Sequence, residues 1–541
     1  MAAQQQPAKS GSNNPNVFPY TNARPRLTRY NFNKQLFLGD HFDAFNIKID
    51  NRDFNKTYAK LRYVVNNFAG LLSKVSADFL FGEPPVIRLP LIDSANPYNA
   101  QNDDGINPDA NVDADADVFA LKAPKPNPNQ EWLENLIFEN RLDVQFYESA
   151  ITNSYKGDAI FKLRVGPRRP DGPSEVIIEQ VMPDYYFPDL DGSNVSAEPQ
   201  RIEIAFITEI ADKKYLRKEI HTPGQIENQL FLMDGDKIVK PEPLELLGDP
   251  ELQPIEQTGI DRILVVHVPN WSDGTAHFGL DDYQDITTLI FALNNRLSLI
   301  DNILDKHADP ILAVPEGVLD ENGNIDRSVL GVYEKSQDDS KPEYIVWDAK
   351  LDASFSEIEK LLEALYMYSE TSPSVFGNTS GQTARTESGR ALKYRLMRTV
   401  AKIQRKQRYY DYAIKEIVYL AELLAQAHGL LANGVPFKGQ PEVPSIEWPD
   451  PIPLDSYEQA QEEELRLASG NQSLRDSIKN VDKLDDEQAV QKMQEIFAEQ
   501  KQLNPAPLSV PTGTVPQTPT KTDPFAKNVQ TPVTNRPNPP Q

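Results

Sequence analysis

Apolar residues recur three, four or seven positions apart in several parts of this chain, and that spacing marks one face of an α-helix. Proline and glycine interrupt the pattern where helices usually stop. The pattern predicts helices over residues 54–82, 131–155, 282–309 and 356–372, then a long helix from 389 and a charged helical segment over 455–503. Ser356 and Glu359 have the spacing of a capping box, which predicts that the fourth helix begins at Ser356.

The helix predicted from residue 389 carries the longest apolar seam. About 40 residues of helix extend about 60 Å, whereas ordinary globular helices have about 8 to 20 residues. A helix of this length usually belongs to a bundle, a coiled coil or an assembly. The seam consists of Leu392, Leu396, Val400, Ile403, Tyr410, Ile414, Ile417 and Leu424.

Between residues 158 and 268 the pattern changes to short runs rich in β-branched and aromatic residues. Turn residues such as Asp234-Gly235 separate these runs, so we expect a mostly antiparallel sheet. Further short strands are expected at 310–314 and 343–347, which places a small subdomain between two helices. The fold class is therefore α+β. The predicted strands in the sheet region are 159–165, 176–181, 202–208, 229–233 and 263–268.

Four segments lack either pattern. Residues 1–30 are polar and rich in Asn, Gln and Pro, which predicts a flexible arm. The segment 93–117 contains seven Asp residues and is expected to be a solvated loop. Of the 21 residues in 369–389, 12 are Ser, Thr or Gly, which predicts a long flexible loop. Residues 504–541 contain ten prolines and few hydrophobic residues, which predicts a disordered tail.

Composition limits the class of protein. A chain of 541 residues is too long for one typical domain, and 39% hydrophobic residues are enough for real cores. With no cysteine, the chain cannot form disulfides, thiolate metal sites or cysteine nucleophiles. The first 16 residues lack a hydrophobic signal core and no later run is long enough to cross a bilayer, so we expect no membrane association and assembly in the cytoplasm.

The charge distribution is uneven. The formal net charge is -25, which argues against a simple nucleic-acid binder, yet residues 385–415 contain ten Lys or Arg and two acids. One interpretation is a long helix with a solvated, salt-bridged polar face. The other is a basic surface that meets acidic neighbours or nucleic acid. From the charge pattern alone, the first interpretation is favoured.

The usual signatures of catalysis and metal binding are not found in the sequence. A phosphate-binding loop would need a lysine that Gly377 to Thr383 lacks. His267 and His277, near Asp281 and Asp282, form a cluster for which a structural role is favoured over a metal site. No cofactor, metal site or catalytic residue is therefore expected, and we predict that the protein is not an enzyme.

Two acidic segments offer weaker alternatives. Asp184, Asp189 and Asp191 have the side chains for metal-assisted phosphoryl chemistry, but the same segment reads as a strand that enters a turn. In the Asp-rich segment a calcium loop would need a first carboxylate where Ala100 stands.

Two strings in this sequence, and the order of the predicted elements, resemble the portal proteins of tailed bacteriophages. NNFAGLLSKVSADFLFGEPPVI (66–87) is similar to the helix and Phe-Gly-Glu-Pro turn near the start of that family. SVFGNTSGQTARTESGRALKYRLMRTVAKIQRKQRYYD (374–411) is similar to its loop and basic helix. The resemblance covers about 55–430, more loosely to 500, and is best to portals of long-tailed phages of Gram-positive hosts.

The resemblance implies a portal fold that forms a ring of about twelve subunits, a head-tail connector through which double-stranded DNA is packaged and ejected. The chain would contain an α/β wing, a two-helix stem, a small α/β clip and a helical crown. The implied regions are a flexible arm (1–30), wing (31–279), first stem helix (280–308), clip (309–353), second stem helix (354–372), tunnel loop (373–388), long wing helix with return segment (389–454), crown (455–503) and Pro-rich tail (504–541).

The resemblance also assigns roles to residues and partners. The side chains implied to face DNA in the tunnel loop are Asn378, Thr379, Ser380, Gln382, Thr383 and Arg385. The side chains expected between subunits on the basic helix are Arg390, Arg398, Lys402, Arg405 and Lys406. The implied partners are terminase, the head-tail adaptor, and the major capsid and scaffold proteins, and the implied location is the capsid vertex of the virion.

Two other classes of protein stay open at this point. A scaffold or adaptor protein of the phage particle would assemble without a channel for duplex DNA. A metal-dependent DNA-processing enzyme would need its acids to come together only in the fold.

Overall fold

The computed structural model describes residues 16–47, 63–91, 127–169, 172–191, 194, 197–249, 252–308, 311–313, 343–345, 351–376, 389–450, 452, 456–482 and 486–503. The chain divides into two compact units, residues 1–453 and 454–541. The first unit contains mixed helix and sheet, as predicted for an α+β fold.

The helices of the first unit are α1 (Arg24–Leu38), α2 (His41–Ala44), α3 (Phe68–Phe81), α4 (Gln130–Asn140), α5 (Leu142–Lys156), α6 (Thr287–Ala308), α7 (Leu351–Tyr368) and α8 (Gly389–His428). Its strands are β1 (Val86–Arg88), β2 (Asp158–Pro167), β3 (Ser174–Val181), β4 (Tyr186–Pro188), β5 (Ile202–Ile210), β6 (Lys213–Thr222), β7 (Gln225–Asp234), β8 (Lys237–Glu242), β9 (Ile255–Gln257), β10 (Val265–Pro269), β11 (Ile311–Ala313), β12 (Glu343–Ile345), β13 (Leu431–Ala432), β14 (Val435–Pro436) and β15 (Ser445–Glu447).

The prediction of a flexible arm up to residue 30 is wrong from residue 16 onward. Phe18 is buried and makes edge contacts with the rings of Tyr20 and Phe187. Helix α1 follows at once, and its Tyr30 is buried with its hydroxyl donating to Asp158. Polar composition concealed these aromatic anchors, because Asn, Arg and Pro are frequent around them and no regular apolar spacing connects them.

The helix predicted over 54–82 begins only at Phe68, so the prediction is wrong for residues 63–67. Asn67 caps α3, since its side chain accepts a hydrogen bond from the backbone N–H of Gly70 at 2.9 Å. Before this cap, the N–H of Val64 donates to Ser298. Contacts with a distant helix thus satisfy backbone donors that a longer α3 would have used internally.

The helical segment predicted over 131–155 is split into α4 and α5 at Arg141, which has a φ of 50°.

The strands pair as antiparallel sheets, as predicted. One sheet has the order β10-β2-β3, and a larger one has the order β4-β5-β6-β7-β8 with β9 beside β7. The five predicted strand runs lie within β2, β3, β5, β7 and, except for two residues, β10. Strands β6 and β8 had no clear signal, because charged residues occupy many of their positions.

Helices α6 and α7 pack together, and a strand pair lies between them in sequence. Strand β11 pairs with β12 in antiparallel register, Ile311 opposite Ile345, as expected for the small insertion. Helix α7 begins at Leu351, so the predicted start at Ser356 is wrong. Ser356 and Glu359 are exposed within the helix, which extends one further turn before them.

Helix α8 runs from Gly389 to His428, 40 residues, as predicted from its seam. Ile403, Tyr410, Ile414 and Leu424 are buried in the largest hydrophobic core, which also includes residues of α3, α5, β2 and β10. The seam therefore fixes which face of α8 meets the sheet and the helices around it.

The second unit contains three helices in its described residues. They are α9 (Ser456–Ala468), α10 (Leu474–Asp482) and α11 (Asp486–Leu503), as predicted for the charged helical segment. The predicted loop at 93–117 and the predicted tail at 504–541 lie outside the described residues, as do residues 377–388 of the loop predicted over 369–389. The prediction of a flexible loop is wrong for residues 369–376, which form a turn and the 3-10 helix Pro373–Phe376, and for Gly389, where α8 begins. None of the helices in the described part of the chain combines the length and the apolar character needed to cross a bilayer.

Candidate functional site

The six residues predicted to face DNA, Asn378, Thr379, Ser380, Gln382, Thr383 and Arg385, lie outside the described residues. The structure describes the chain up to Phe376 on one side of this loop and from Gly389 on the other. We call residues 369–376 the loop root. The candidate site in the described residues therefore consists of the loop root and the helices that contact it, α3, α7 and α8.

Helix α7 ends in a tight turn at the loop root. Glu370 has a φ of 54°, a left-handed conformation that turns the chain away from the helix axis. Backbone N–H groups of Ser369 and Thr371 donate to carbonyls in the last turn of α7, at 2.9 and 3.1 Å. Because these bonds close the end of the helix, the position of the loop root follows from the position of α7.

Helix α8 binds the loop root through four side chains. Lys402 donates to the carbonyl of Ser369 at 3.1 Å, and Thr399 accepts from the N–H of Ser372 at 2.9 Å. Arg398 and Arg405 both bind the carboxylate of Glu370. The turn that leads into the loop is thus attached to the middle of the long helix.

Aromatic packing holds the far end of the loop root. The ring of Phe376 lies 5.8 Å from that of Tyr366 and 5.9 Å from that of Phe68, measured between ring centroids. These rings join α7 and α3 to the last residue described before the loop. The entry to the loop is therefore fixed by polar contacts at one end and aromatic contacts at the other.

A buried ionic cluster lies next to the loop root. We call Asp282, Lys402 and Lys406 the lysine cluster. Lys406 Nζ lies 2.6 Å from one carboxylate oxygen of Asp282, and Lys402 Nζ lies 3.4 Å from the other. Ser154 and Asn270 also donate to this carboxylate, at 2.6 and 3.0 Å.

Backbone contacts position Asp282 before α6. Its N–H donates to the carbonyl of Ser154 at 2.8 Å. A Cβ on Gly279 would lie 2.2 Å from the carbonyl oxygen of Gly157, so only glycine permits this approach of the two backbones. This close approach brings the segment before α6 against the end of α5. There the carboxylate of Asp282 reaches Lys402 and Lys406.

Burial and charge pairing act in opposite directions in the lysine cluster. Burial lowers the pKa of Lys406 to about 8, with the carboxylate of Asp282 opposing that shift. Burial also disfavours ionisation of Asp282, but Lys402 and Lys406 outweigh it and hold the pKa of Asp282 below its ordinary value. The ionised forms of Asp282 and Lys406 are consequently favoured at neutral pH. Their ion pair connects α8 to the segment before α6.

The structure places the five predicted inter-subunit residues in different environments. Lys402 and Lys406 are buried and bound within the chain, which argues for an internal role for both. Arg398 and Arg405 bind Glu370 while part of each guanidinium side chain stays exposed. Arg390 falls in the first turn of α8. A role between subunits stays a prediction for the three arginines.

The histidine cluster forms a buried polar network. The rings of His267 and His277 stack with centroids 4.6 Å apart. His267 Nε2 lies 2.7 Å from Asp158, and His277 Nε2 lies 3.1 Å from the hydroxyl of Tyr186. Burial, and then the neighbouring His267, lower the pKa of His277 to about 4, so it is neutral at physiological pH. The acids near these histidines in sequence, Asp281 and Asp282, are instead bound to Arg29 and to the two lysines.

Two of the acids considered for metal-assisted phosphoryl chemistry, Asp184 and Asp189, contact different parts of the chain. Asp184 binds the buried Lys156, while Asp189 follows β4 and pairs through its backbone with Arg201. Within the described ranges, no group of three or more His, Cys, Asp or Glu side chains has an arrangement that could hold a metal ion.

Sequence reasoning missed Asp282 and Glu370 as the partners of the basic helix. A signal was present for the lysines, because Lys402 and Lys406 flank the seam residue Ile403 at helical spacing, on the side of α8 that is buried. No comparable signal marked the two acids, since each lies in a turn beside a helix, Asp282 before α6 and Glu370 after α7, where acidic residues are common and usually solvated.

A further buried carboxyl lies in α8 at Glu422. One of its oxygens accepts from the backbone N–H of Glu442 at 2.7 Å, and among the described residues the other has no hydrogen-bond partner. Burial is the main cause that raises its pKa to about 7; the hydrogen bond from the backbone N–H of Glu442 opposes the shift, and the negative charge of the Glu442 side chain adds to it.

The raised pKa of Glu422 predicts a dependence of stability on pH. Between about pH 4.5 and 7 the folded chain keeps a proton that the unfolded chain has lost, so this residue contributes less stability as the pH rises to about 7. We expect Glu422→Gln to be more stable than the wild type at about pH 8, by up to about 3 kcal/mol, and the gain to shrink toward pH 5. Thermal unfolding across this range measures the difference. The exposed Glu245→Gln is the control, and a gain from Glu422→Gln that is independent of pH would contradict the prediction.

Comparison with protein families identifies the class of this chain. Residues 205–506 match the family described as "Phage portal protein, SPP1 Gp6-like", and the chain belongs to that family. The match begins within β5 and includes the rest of the large sheet apart from β4, then α6, α7, the loop and α8. Comparison with curated proteins finds no match.

The prediction of a bacteriophage portal protein is confirmed, while the branch of long-tailed phages of Gram-positive hosts stays a prediction. The family is one of structural phage proteins that serve in the capsid and in genome packaging, not a family of enzymes.

Proposed function

We propose that this chain forms a ring-shaped channel at one vertex of the capsid, through which double-stranded DNA is packaged and later ejected. The observation that carries the proposal is the order of elements within the matched residues. Two packed helices, α6 and α7, enclose the β11–β12 pair in sequence, and a loop then leads into the 40-residue α8. This order accompanies membership of the portal family.

The proposal keeps the regional assignments made from the sequence. Helices α6 and α7 would form most of the stem, because they pack on each other beside the core around Leu293 and Leu365. The segment 309–353 would be the clip, and residues 31–279 the wing. Residues 373–388 would be the tunnel loop, 389–454 the long wing helix with its return segment, and 455–503 the crown.

The loop root suggests how a channel loop would stay in place while DNA moves past it. Glu370 and the carbonyl of Ser369 are bound by side chains of α8, and Phe376 packs on α3 and α7. Force on the loop would therefore be transmitted to α3, α7 and α8 together. The side chains of the loop itself are mainly neutral, which would let them contact phosphates without a fixed electrostatic grip.

The net charge supports transport rather than binding of DNA. Each subunit has a formal net charge of -25, so a ring of subunits would repel the duplex wherever acids line the channel.

The clip would be the docking site for terminase during packaging and for the head-tail adaptor afterwards. The wing and stem would meet the scaffold and major capsid proteins, and the ring would assemble in the host cytoplasm.

Negative-stain electron microscopy and native mass spectrometry of the purified full-length protein test the proposal. We expect rings of about twelve subunits with a central opening that admits duplex DNA. Particles of several subunits without such an opening would contradict the channel and favour a scaffold or adaptor role. Rings that lose DNA packaging when the loop 377–388 is deleted would support the function of the loop.

A further inference from the structure

Helix α8 has one exposed face with the composition of a protein interface. Tyr394, Met397 and Tyr412 are 76, 64 and 61% exposed, although the opposite side of the same helix is buried in the core. Large apolar side chains that share the exposed face of a helix otherwise buried in the core are candidates for a binding surface. We call this the α8 face, and its members are Tyr394, Met397, Arg398, Ala401, Arg408 and Tyr412.

The α8 face is positively charged. Arg398, Arg405 and Arg408 lie on or beside it, and the one carboxylate that binds two of these arginines is Glu370. Tyr, Met and Arg are the residues enriched at the centres of protein interfaces, and Tyr and Arg dominate their binding energy. The partner of this face should therefore be acidic and partly apolar.

Helix α7 has an exposed face that is acidic and partly apolar, as this partner should be. Its inner side, with Ile358 and Leu365, packs into the core beside α6. Its outer side exposes Phe355 and Met367, which are 48 and 67% exposed. We call this the α7 face, and its members are Asp352, Phe355, Ser356, Glu359, Glu363 and Met367. The exposed Lys360 lies at its edge and binds Glu363, so three carboxylates face one ammonium group and the face is acidic.

The two faces also match in spacing and length. On α7 the members recur three, four or seven residues apart, as they do on α8, so each face is a single stripe along its helix. From Tyr394 to Tyr412 the α8 stripe extends about 27 Å, and from Asp352 to Met367 the α7 stripe extends about 22 Å, at about 1.5 Å per residue. Both stripes are exposed in the single chain, so neither covers the other within it.

We propose that the α8 face of one subunit binds the α7 face of the next subunit. Because the two faces are different surfaces of the same chain, this contact is heterologous, and repetition of a heterologous contact closes into a ring when the rotation allows it. The inference rests on the proposed ring and adds the surfaces that join its subunits. Opposite charges on the two stripes favour this pairing over contact between two like faces.

Two matched double variants test the pairing. Variant A, Met397→Glu with Arg408→Glu, alters only the α8 face. Variant B, Glu359→Lys with Met367→Lys, alters only the α7 face. All four side chains are exposed in the single chain, so circular dichroism of both variants should show the secondary structure of the wild type. Lys240→Glu, on the exposed edge strand β8, is the control for reversal of a positive charge elsewhere.

Native mass spectrometry of each variant and of their mixture gives a distinctive expected result. Each variant alone should remain at the single-chain mass of 60.9 kDa, because every contact would include one altered face. In the mixture, the intact α7 face of variant A should bind the intact α8 face of variant B. The two altered faces that remain carry exchanged charges, Glu on the α8 face and Lys on the α7 face, so they can also attract each other and extend the heterodimer into larger alternating assemblies.

Other outcomes would overturn the pairing and leave the proposed function distinguishable from it. Rings formed by variant A or B as readily as by the wild type and by Lys240→Glu would show that the altered face is not needed. A mixture in which both variants stay at the single-chain mass would show that the two faces do not bind each other. Failure of the wild type itself to form rings would instead count against the proposed channel.

Discussion

Replacing Asp282 with alanine is expected to destabilise the chain by about 3–5 kcal/mol, which is the usual cost of leaving a buried charge without its partner. The side chains of Lys402, Lys406 and Asp282 are all nearly inaccessible to solvent. Without the carboxylate, two ammonium groups would face each other in the interior, with Ser154 and Asn270 also deprived of an acceptor. Thermal or urea unfolding followed by circular dichroism measures the loss.

A matched variant separates this effect from the loss of any acid before α6. Asp285 is exposed and lies three residues further along, before the same helix, so Asp285→Ala should change the stability by less than about 0.5 kcal/mol. Replacing all three members of the lysine cluster, with Asp282→Ala, Lys402→Met and Lys406→Met, should recover most of the loss. A change for Asp282→Ala no larger than that for Asp285→Ala would show that the cluster does not stabilise the fold.

The periodic parts of this fold could be predicted from the sequence, because their signal lies in neighbouring residues. The seam of α8 is an example, since Leu396, Ile403 and Ile414 are spaced as one helix face and are all buried. Helix starts could not be predicted in the same way. Helix α3 begins at Phe68 because Asn294 and Ser298, more than 200 residues away, bind the backbone before it.

The loop root illustrates why the site was harder to predict than the fold. The basic character of α8 was evident, but a cation in a sequence does not identify the acid that binds it. Glu370 and Asp282 became partners only when α7 and α6 were placed against α8. The exposed stripe of Tyr394 and Met397 had no sequence signal of its own, because exposure is decided by what the rest of the chain covers.

The loop root also bears on the proposed channel. If the loop lines the path of DNA, its neutral side chains and its attachment to α8 have separable effects. The attachment would determine where the loop is held, and the side chains would determine how strongly it binds phosphate. Charge placed in the loop should therefore change transport of DNA and leave the fold unaffected.

Replacing Thr379 and Thr383 with lysine is accordingly expected to reduce DNA packaged per capsid by about tenfold or more. The change adds two positive charges to each subunit, and thus about 24 to a ring of about twelve. At moderate salt each lysine that binds a phosphate strengthens DNA binding by close to tenfold, so a few contacts would hold the duplex in the channel. Nuclease-protected DNA per capsid measures packaging, and native mass spectrometry shows whether rings still form.

The dependence on salt distinguishes an electrostatic grip from simple damage to the loop. Lysine–phosphate binding weakens as salt rises, so packaging by the lysine variant should recover in part between about 50 and 200 mM salt. Thr379→Ser with Thr383→Ser keeps neutral hydroxyl groups at both positions and should package like the wild type. Normal packaging by the lysine variant in intact rings would mean that these residues do not face DNA, while a loss that salt does not relieve would place the defect in the shape of the loop and not in its charge.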